Sequence, residues 1–158
     1  MFSLIITIIS IALVAALAVA TLYYGGSQFS QGSAKAQADQ LISQAQQIAG
    51  ANTLYSNDHG GSFDTTVSDL QSNNYLNSTP AVSSTLSSQA FALPGGSGAN
   101  TVKLTLDQTT ATAACTAVGK AVGSITSASQ STPNTTSNSA KQYDCWGTSG
   151  AYTFQFNG

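Results

Sequence analysis

The sequence predicts an α+β protein: a long N-terminal helix, apolar first and amphipathic afterwards, then a small globular domain with a few antiparallel strands. Three observations predict it. Residues 1–24 form an apolar run without a charged side chain. Apolar residues then recur at helical spacing up to residue 49. Beyond residue 100, two segments alternate apolar and polar side chains, as half-buried strands do.

The apolar run, MFSLIITIISIALVAALAVATLYY, is long enough to cross a bilayer. At about 1.5 Å per residue, some 20 residues span a hydrocarbon core of roughly 30 Å. The run is apolar on all sides of a helix, so a small soluble domain cannot cover it. Lipid or copies of the same helix must therefore bury it. Its polar side chains are few: Ser3, Thr7, Ser10 and Thr21.

A cleaved signal peptide is the first alternative for this run. A signal peptide carries a basic segment before a shorter apolar one, and no basic residue precedes Lys35. The positive-inside rule would keep the chain after Lys35 in the cytoplasm, whereas two cysteines and a Ser/Thr-rich composition indicate an extracytoplasmic domain. We therefore expect Met1 to be the first residue that remains after removal of a basic leader.

Charge is sparse throughout the chain. Its 158 residues include four Lys and six Asp, with no Arg or Glu, so 6% are charged, against about 25% in an average soluble domain. The net charge of −2 provides no attraction to nucleic acid. The length allows one modest domain beyond the apolar run.

The helix is predicted to continue, weakened, over residues 25–50. Gly25, Gly26 and Gly32 each disfavour a helix by ~1 kcal/mol. Gly50 predicts the end of the helix, and residues 51–61 are predicted to be a turn. One apolar stripe marks the amphipathic part: Leu41, Ile42, Ala45, Ile48 and Ala49.

The globular domain is predicted over residues 51–158. A short helix carrying Val67 and Leu70 and reaching toward Leu76 is expected, with Asp64 or Thr65 as its cap.

Four further segments complete the domain. The alternation of TVKLTLD predicts a strand over residues 101–107, and the Ala-rich segment 110–122 predicts a helix with Cys115 and Val118 on one side. Residues 124–140 are a low-complexity polar loop. A closing strand carries an aromatic inner face of Tyr152, Phe154 and Phe156.

Patterns for catalysis are missing from the sequence. His59, the single histidine, lies in a Gly-flanked turn and is expected to be a solvated loop residue. The Asp residues are scattered, and no nucleophile elbow, metal-ligand spacing or phosphate-binding loop occurs. We predict no catalytic, cofactor-binding or metal residues, and we do not expect an enzyme.

Two cysteines in an extracytoplasmic context predict one disulfide, Cys115–Cys145. Closing a loop of about 30 residues contributes roughly 3–4 kcal/mol in the chain-entropy model. The alternative is a pair of buried free thiols. N-glycosylation patterns at Asn77 and Asn134 are expected by chance in so polar a chain.

These features together resemble bacterial type IV pilins, and most of all the type IVb group, whose mature chains can begin with Met, as at Met1. The segment LISQAQQIAGANTLYSNDHGGSFDTTVSDLQSNNYL is similar to the late helix and following loop of that family. The resemblance implies a pilin fold, methylation at Met1 and a helical filament on the cell surface. Its expected core residues are Phe2, Leu4, Ile5, Ile8, Ile9, Leu13, Ala16 and Leu17.

The partners implied by the resemblance are further copies of the chain, the inner membrane before assembly and the pilus assembly machinery. Adhesion, motility, DNA uptake or conjugation would be properties of the filament.

The chain departs from the family at Ile5, where pilins usually carry a glutamate that pairs with the N-terminal amine of a neighbour. That ion pair cannot form here, although an apolar residue avoids the cost of burying a lone carboxylate. Archaeal-type and some minor pilins also lack the residue. A minor pilin, a type II secretion pseudopilin and a singly anchored extracytoplasmic binding module are therefore the alternatives.

Overall fold

The computed structural model describes residues 2–94, 99–127, 130, 132–138, 140–148 and 150–158, with the side chains of 24–28 left out. Met1, the predicted processing and methylation site, lies outside the described residues. The chain divides into two compact units, Met1–Ser33 and Ala34–Gly158. The elements are α1 (Phe2–Asp58), α2 (Val67–Ser72), β1 (Thr101–Leu106), α3 (Ala111–Ala121), β2 (Tyr143–Thr148) and β3 (Ala151–Asn157). The α+β layout with a long N-terminal helix is confirmed.

Helix α1 does not end at Gly50, so that prediction was wrong. It continues to Asp58 because Ala51, Asn52 and Ser56, on one side of the helix after the glycine, are buried, and this burial outweighs the helix penalty of glycine. After Asp58 the chain turns through Gly61, whose φ is +92° and whose amide donates to the Ser56 carbonyl at 2.8 Å. The compact unit that contains the sheet begins at residue 34 and includes the second half of this helix.

The second unit contains an antiparallel sheet in the order β1-β3-β2. Residues Leu104 and Cys145 both pair with Phe154 of the central strand, from opposite sides. Strand β2 was not predicted, because its consecutive residues Asp144 and Cys145 are both buried and break the alternation. The other two strands follow their predicted alternation.

The core of this unit lies between α1, α3 and the sheet. The predicted stripe of α1 is buried except for Ile42, which is partly buried, and the predicted inner faces of both strands are buried. The described core is completed by α3 and by the segment that precedes β1. Its largest buried side chains include Leu41, Ile48, Leu86, Val102, Leu104, Leu106, Val118 and Phe154.

Helix α2 starts two residues after the last predicted cap, because Thr66 is the N-cap and accepts the Asp69 amide at 3.2 Å. Asp64 contributes differently: its Oδ1 accepts the amides of Thr65 and Thr66 at 2.7 and 3.2 Å. Leu76 lies beyond the helix but packs against the core.

Candidate functional site

The first candidate site is the exposed apolar surface of α1. The span Phe2–Tyr23, 22 residues, is long and apolar enough to cross a membrane, and none of it is buried within the structure. At about 1.5 Å per residue it is roughly 33 Å long. By length and composition alone, the span could act as a membrane anchor or as a signal sequence. The eight predicted core residues are all exposed: Phe2, Leu4, Ile5, Ile8, Ile9, Leu13, Ala16 and Leu17.

Three hydroxyl groups of this span are satisfied within the helix. Those of Thr7, Ser10 and Thr21 each donate to a backbone carbonyl of the preceding turn, at 2.8, 2.8 and 2.9 Å. Such local bonds let Ser and Thr side chains enter an apolar medium without an unpaired donor. These three residues therefore do not require a polar partner.

A second site is the cysteine pair. The sulfur atoms of Cys115 in α3 and Cys145 in β2 lie 1.97 Å apart, with Cα atoms 5.3 Å apart, so the structure pairs them as a disulfide. Both residues are buried. Because β2 is an edge strand of the sheet, the bond holds that edge against α3.

The polar loop after α3 has a second attachment, at Asp144. Its Oδ1 accepts the Ser124 hydroxyl and the Cys145 amide, each at 2.9 Å, and its Oδ2 accepts the Asn138 amide at 2.5 Å. Asn134 adds a hydrogen bond from its side chain to the Ser124 carbonyl, at 3.0 Å. The sequence analysis did not predict this attachment. The one feature of the sequence that could have indicated it is a lone Asp beside a cysteine.

A buried polar junction lies behind the C-terminal part of α1. The side chain of Asn52 accepts the Asp64 amide at 2.8 Å, and the side chain of Asn100 donates to the Ala49 carbonyl and the Thr53 hydroxyl, both at 2.9 Å. One carboxylate oxygen of Asp64, Oδ2, is buried without a partner among the described residues. The junction ties three chain segments together.

An aromatic cluster surrounds the end of α1. The rings of Tyr55 and His59 are stacked, with centroids 3.8 Å apart and planes 9° apart, and Tyr75 meets Tyr55 edge-on at 5.5 Å. The Tyr75 hydroxyl donates to Oδ2 of Asp58 at 2.7 Å. That bond raises the pKa of Tyr75 above its ordinary value of 10.0.

The environment of His59 differs in part from the prediction. The residue is exposed and follows the helix, as expected of a loop residue, but its ring is held in place. Its Nδ1 lies 2.9 Å from the carbonyl oxygen of Tyr55. Tyr75 is 16 positions further along the chain, and local sequence patterns do not reveal that it lies beside His59.

Within the described part of the chain, no group of three or more His, Cys, Asp or Glu side chains is placed to hold a metal ion. The two buried aspartates among the described residues, Asp64 and Asp144, accept hydrogen bonds from the backbone amides of Thr65 and Asn138. The remaining candidate sites among the described residues are therefore exposed surfaces that another molecule could contact.

Comparison of the chain with family models, with curated proteins and with solved structures finds no match.

Proposed function

We propose that this chain is the structural subunit of an extracellular filament of the type IV pilus kind and polymerises through residues 2–24. One observation carries the proposal: an apolar span of 22 residues that is not buried within its own chain. Removing apolar surface from water lowers the free energy by about 25 cal/mol per Å². Cover for this span must come from outside the chain.

Copies of the same helix are well suited to supply that cover. The span carries small side chains that let helices approach closely, as they do in membranes: Ala12, Ala15, Ala16, Ala18 and Ala20. Three of its hydroxyl groups already donate to carbonyls of the same helix, so these groups need no polar partner on a neighbouring helix. Before assembly, the inner membrane would bury the same span, because its length matches the hydrocarbon core.

The second unit would face solvent as the head of the subunit. Its paired cysteines suit an oxidising compartment, and hydroxyl and amide side chains supply most of its polarity. We propose no enzymatic activity, because the described polar clusters join chain segments and leave no acid, base and nucleophile together.

Ile5 favours a second candidate, a minor pilin or pseudopilin, because it removes the ion pair that the assembly of major pilins employs. A singly anchored extracytoplasmic module is the third, since the span would also hold one copy in a bilayer. Filaments visible by electron microscopy, with this chain as their main component, would exclude both.

A charge in the apolar span tests the proposal. Ala16→Asp places a carboxylate where neighbouring helices would pack, so we expect the chain to reach the membrane and filaments to be lost. The control is Gln46→Asp, which adds the same charge at an exposed position of α1 outside the span and should assemble. Electron microscopy of sheared cell-surface material measures filament formation, and immunoblots of membranes show whether the chain reaches the membrane. Normal filaments from Ala16→Asp would show that this helix is not the core.

A further inference from the structure

We propose that Asp58, together with the rings of Tyr55, His59 and Tyr75, is a contact site for Lys35 of a second copy of the chain. The inference rests on the proposed filament, because it concerns how two subunits meet. A carboxylate beside aromatic faces binds an ammonium group, through charge and through the electron-rich faces of the rings.

Negative charge at the end of α1 is not balanced by the helix itself. Asp58 is the last residue of a helix of 57 residues, and no basic side chain lies in its last turn. The carbonyls of Tyr55 and Ser56 accept the amides of His59 and Gly61, and the helix C-terminus as a whole carries a partial negative charge, which favours a cation nearby. Among the described residues, Asp58 forms one side-chain hydrogen bond, with Tyr75, and no ion pair.

The carboxylate is also held in one orientation. Its Oδ2 is fixed by the Tyr75 hydroxyl at 2.7 Å, and Oδ1 has no partner among the described residues. Asp58 is exposed. The site thus offers a positioned acceptor beside stacked rings, at the surface, and attracts a donor that carries positive charge.

Lys35 is the lysine best able to reach this site in another subunit. It is exposed on α1 and forms no ion pair with a described residue, whereas Lys103 and Lys141 are half-buried. Lys120 is exposed but already has a partner. Lys35 cannot reach Asp58 of its own chain, because 23 helical residues separate the two by about 35 Å.

A contact between opposite ends of one helical segment has a consequence for assembly. It joins two different surfaces, so it is heterologous and repeats along a filament without closing on itself. Exposed ion pairs add little stability but fix orientation and register. The Asp58–Lys35 contact would therefore set the stagger between subunits, while apolar burial of residues 2–24 supplies the stability.

Zero-length cross-linking of isolated filaments with a carbodiimide tests the contact. The reagent forms an amide only between a carboxylate and an amine that touch, and any Asp58–Lys35 amide must join two chains because of the distance within one. We expect that cross-linked peptide by mass spectrometry, its loss in Asp58→Asn, and its retention in Asp69→Asn, which changes an exposed carboxylate of α2. The charge-exchanged variant Asp58→Lys with Lys35→Asp should restore it.

The results of this experiment distinguish failure of the contact from failure of the proposed function. Filaments that give no Asp58–Lys35 amide, or that join Asp58 to a different lysine, overturn the contact and leave the proposed function standing. A chain that forms no filaments removes the proposed function and this contact with it. Reaction of Lys35 with Asp39, four residues away in the same helix, serves as the control that Lys35 is reactive.

Discussion

The hydroxyl group of Tyr75 donates to Oδ2 of Asp58 at 2.7 Å and so joins the turn after α2 to the last residue of α1. The backbone of Tyr75 is itself held to α2, since its amide donates to the Leu70 carbonyl at 2.9 Å. The bond helps explain why α1 extends past Gly50, because the end of the helix has its own tertiary partner.

Alkaline pH should weaken this link. The pKa of Tyr75 is raised, chiefly by its hydrogen bond to Asp58, so the bond stabilises the fold fully below the unfolded-state pKa of about 10 and loses that effect as pH rises through the folded-state pKa. Thermal unfolding of the wild type and of Tyr75→Phe between pH 8 and 12 should show a wild-type advantage that disappears at the alkaline end. An advantage that is constant over this range would contradict the assignment.

Acid pH should release a different contact. Asp107 accepts both the amide, at 2.9 Å, and the hydroxyl of Ser88, and the hydroxyl bond is the main cause that lowers its pKa below 3.8. A lowered pKa stabilises the fold above the unfolded-state value and loses that effect as pH falls through the folded-state value. The advantage of the wild type over Asp107→Asn should be present at pH 5 and lost toward pH 2. An equal difference in stability between the wild type and Asp107→Asn at both pH values would exclude this role of the Asp107 carboxylate.

Replacement of two glycines by alanine should change the stability of the protein in opposite directions. Gly50 is helical and exposed, with no atom within 4 Å of an added Cβ, so Gly50→Ala should stabilise the protein by about 0.5–1 kcal/mol. Gly147 has a φ of +132°, and a Cβ there would lie 2.3 Å from the Ala151 carbonyl oxygen. Gly147→Ala should therefore cost at least about 1–3 kcal/mol. Denaturant unfolding of both variants measures the two effects, and a stabilising Gly147→Ala would contradict the close approach of Gly147 to Ala151.

Replacing both Cys115 and Cys145 with Ser should lower the stability of the head by roughly 2–5 kcal/mol, because the two residues hold α3 against an edge strand. Helical assembly through residues 2–24 should survive, since the bond lies in the other unit. Thermal unfolding and filament yield provide the two readings. Two free thiols in intact filaments, found by alkylation and mass spectrometry, would refute the disulfide.

The strands β1 and β3 could be predicted because their side chains alternate with the period of a half-buried strand. Strand β2 could not, since Asp144 is buried with the help of hydrogen bonds from two residues of the preceding loop, Ser124 and Asn138. The end of α1 could not be predicted either, because burial of Ala51 and Asn52 against the domain outweighs the helix penalty at Gly50.

The two candidate surfaces differ in the same way. The apolar span is a property of consecutive residues, so the sequence alone predicts it. The cluster around Asp58 depends on Tyr75, which only the tertiary fold brings beside Tyr55 and His59. The proposed cover of the span by other copies would be a property of the assembly, which a single chain does not contain.

The central claim is that residues 2–23 form the core of a filament. Helical reconstruction by cryo-electron microscopy of cell-surface filaments tests it most directly. We expect continuous helices from neighbouring subunits packed along the axis, with Phe2, Ile5 and Ala16 in contact with other chains and the disulfide-bonded unit outside. Filaments that lack this chain, or that carry this span on their surface, would contradict the account.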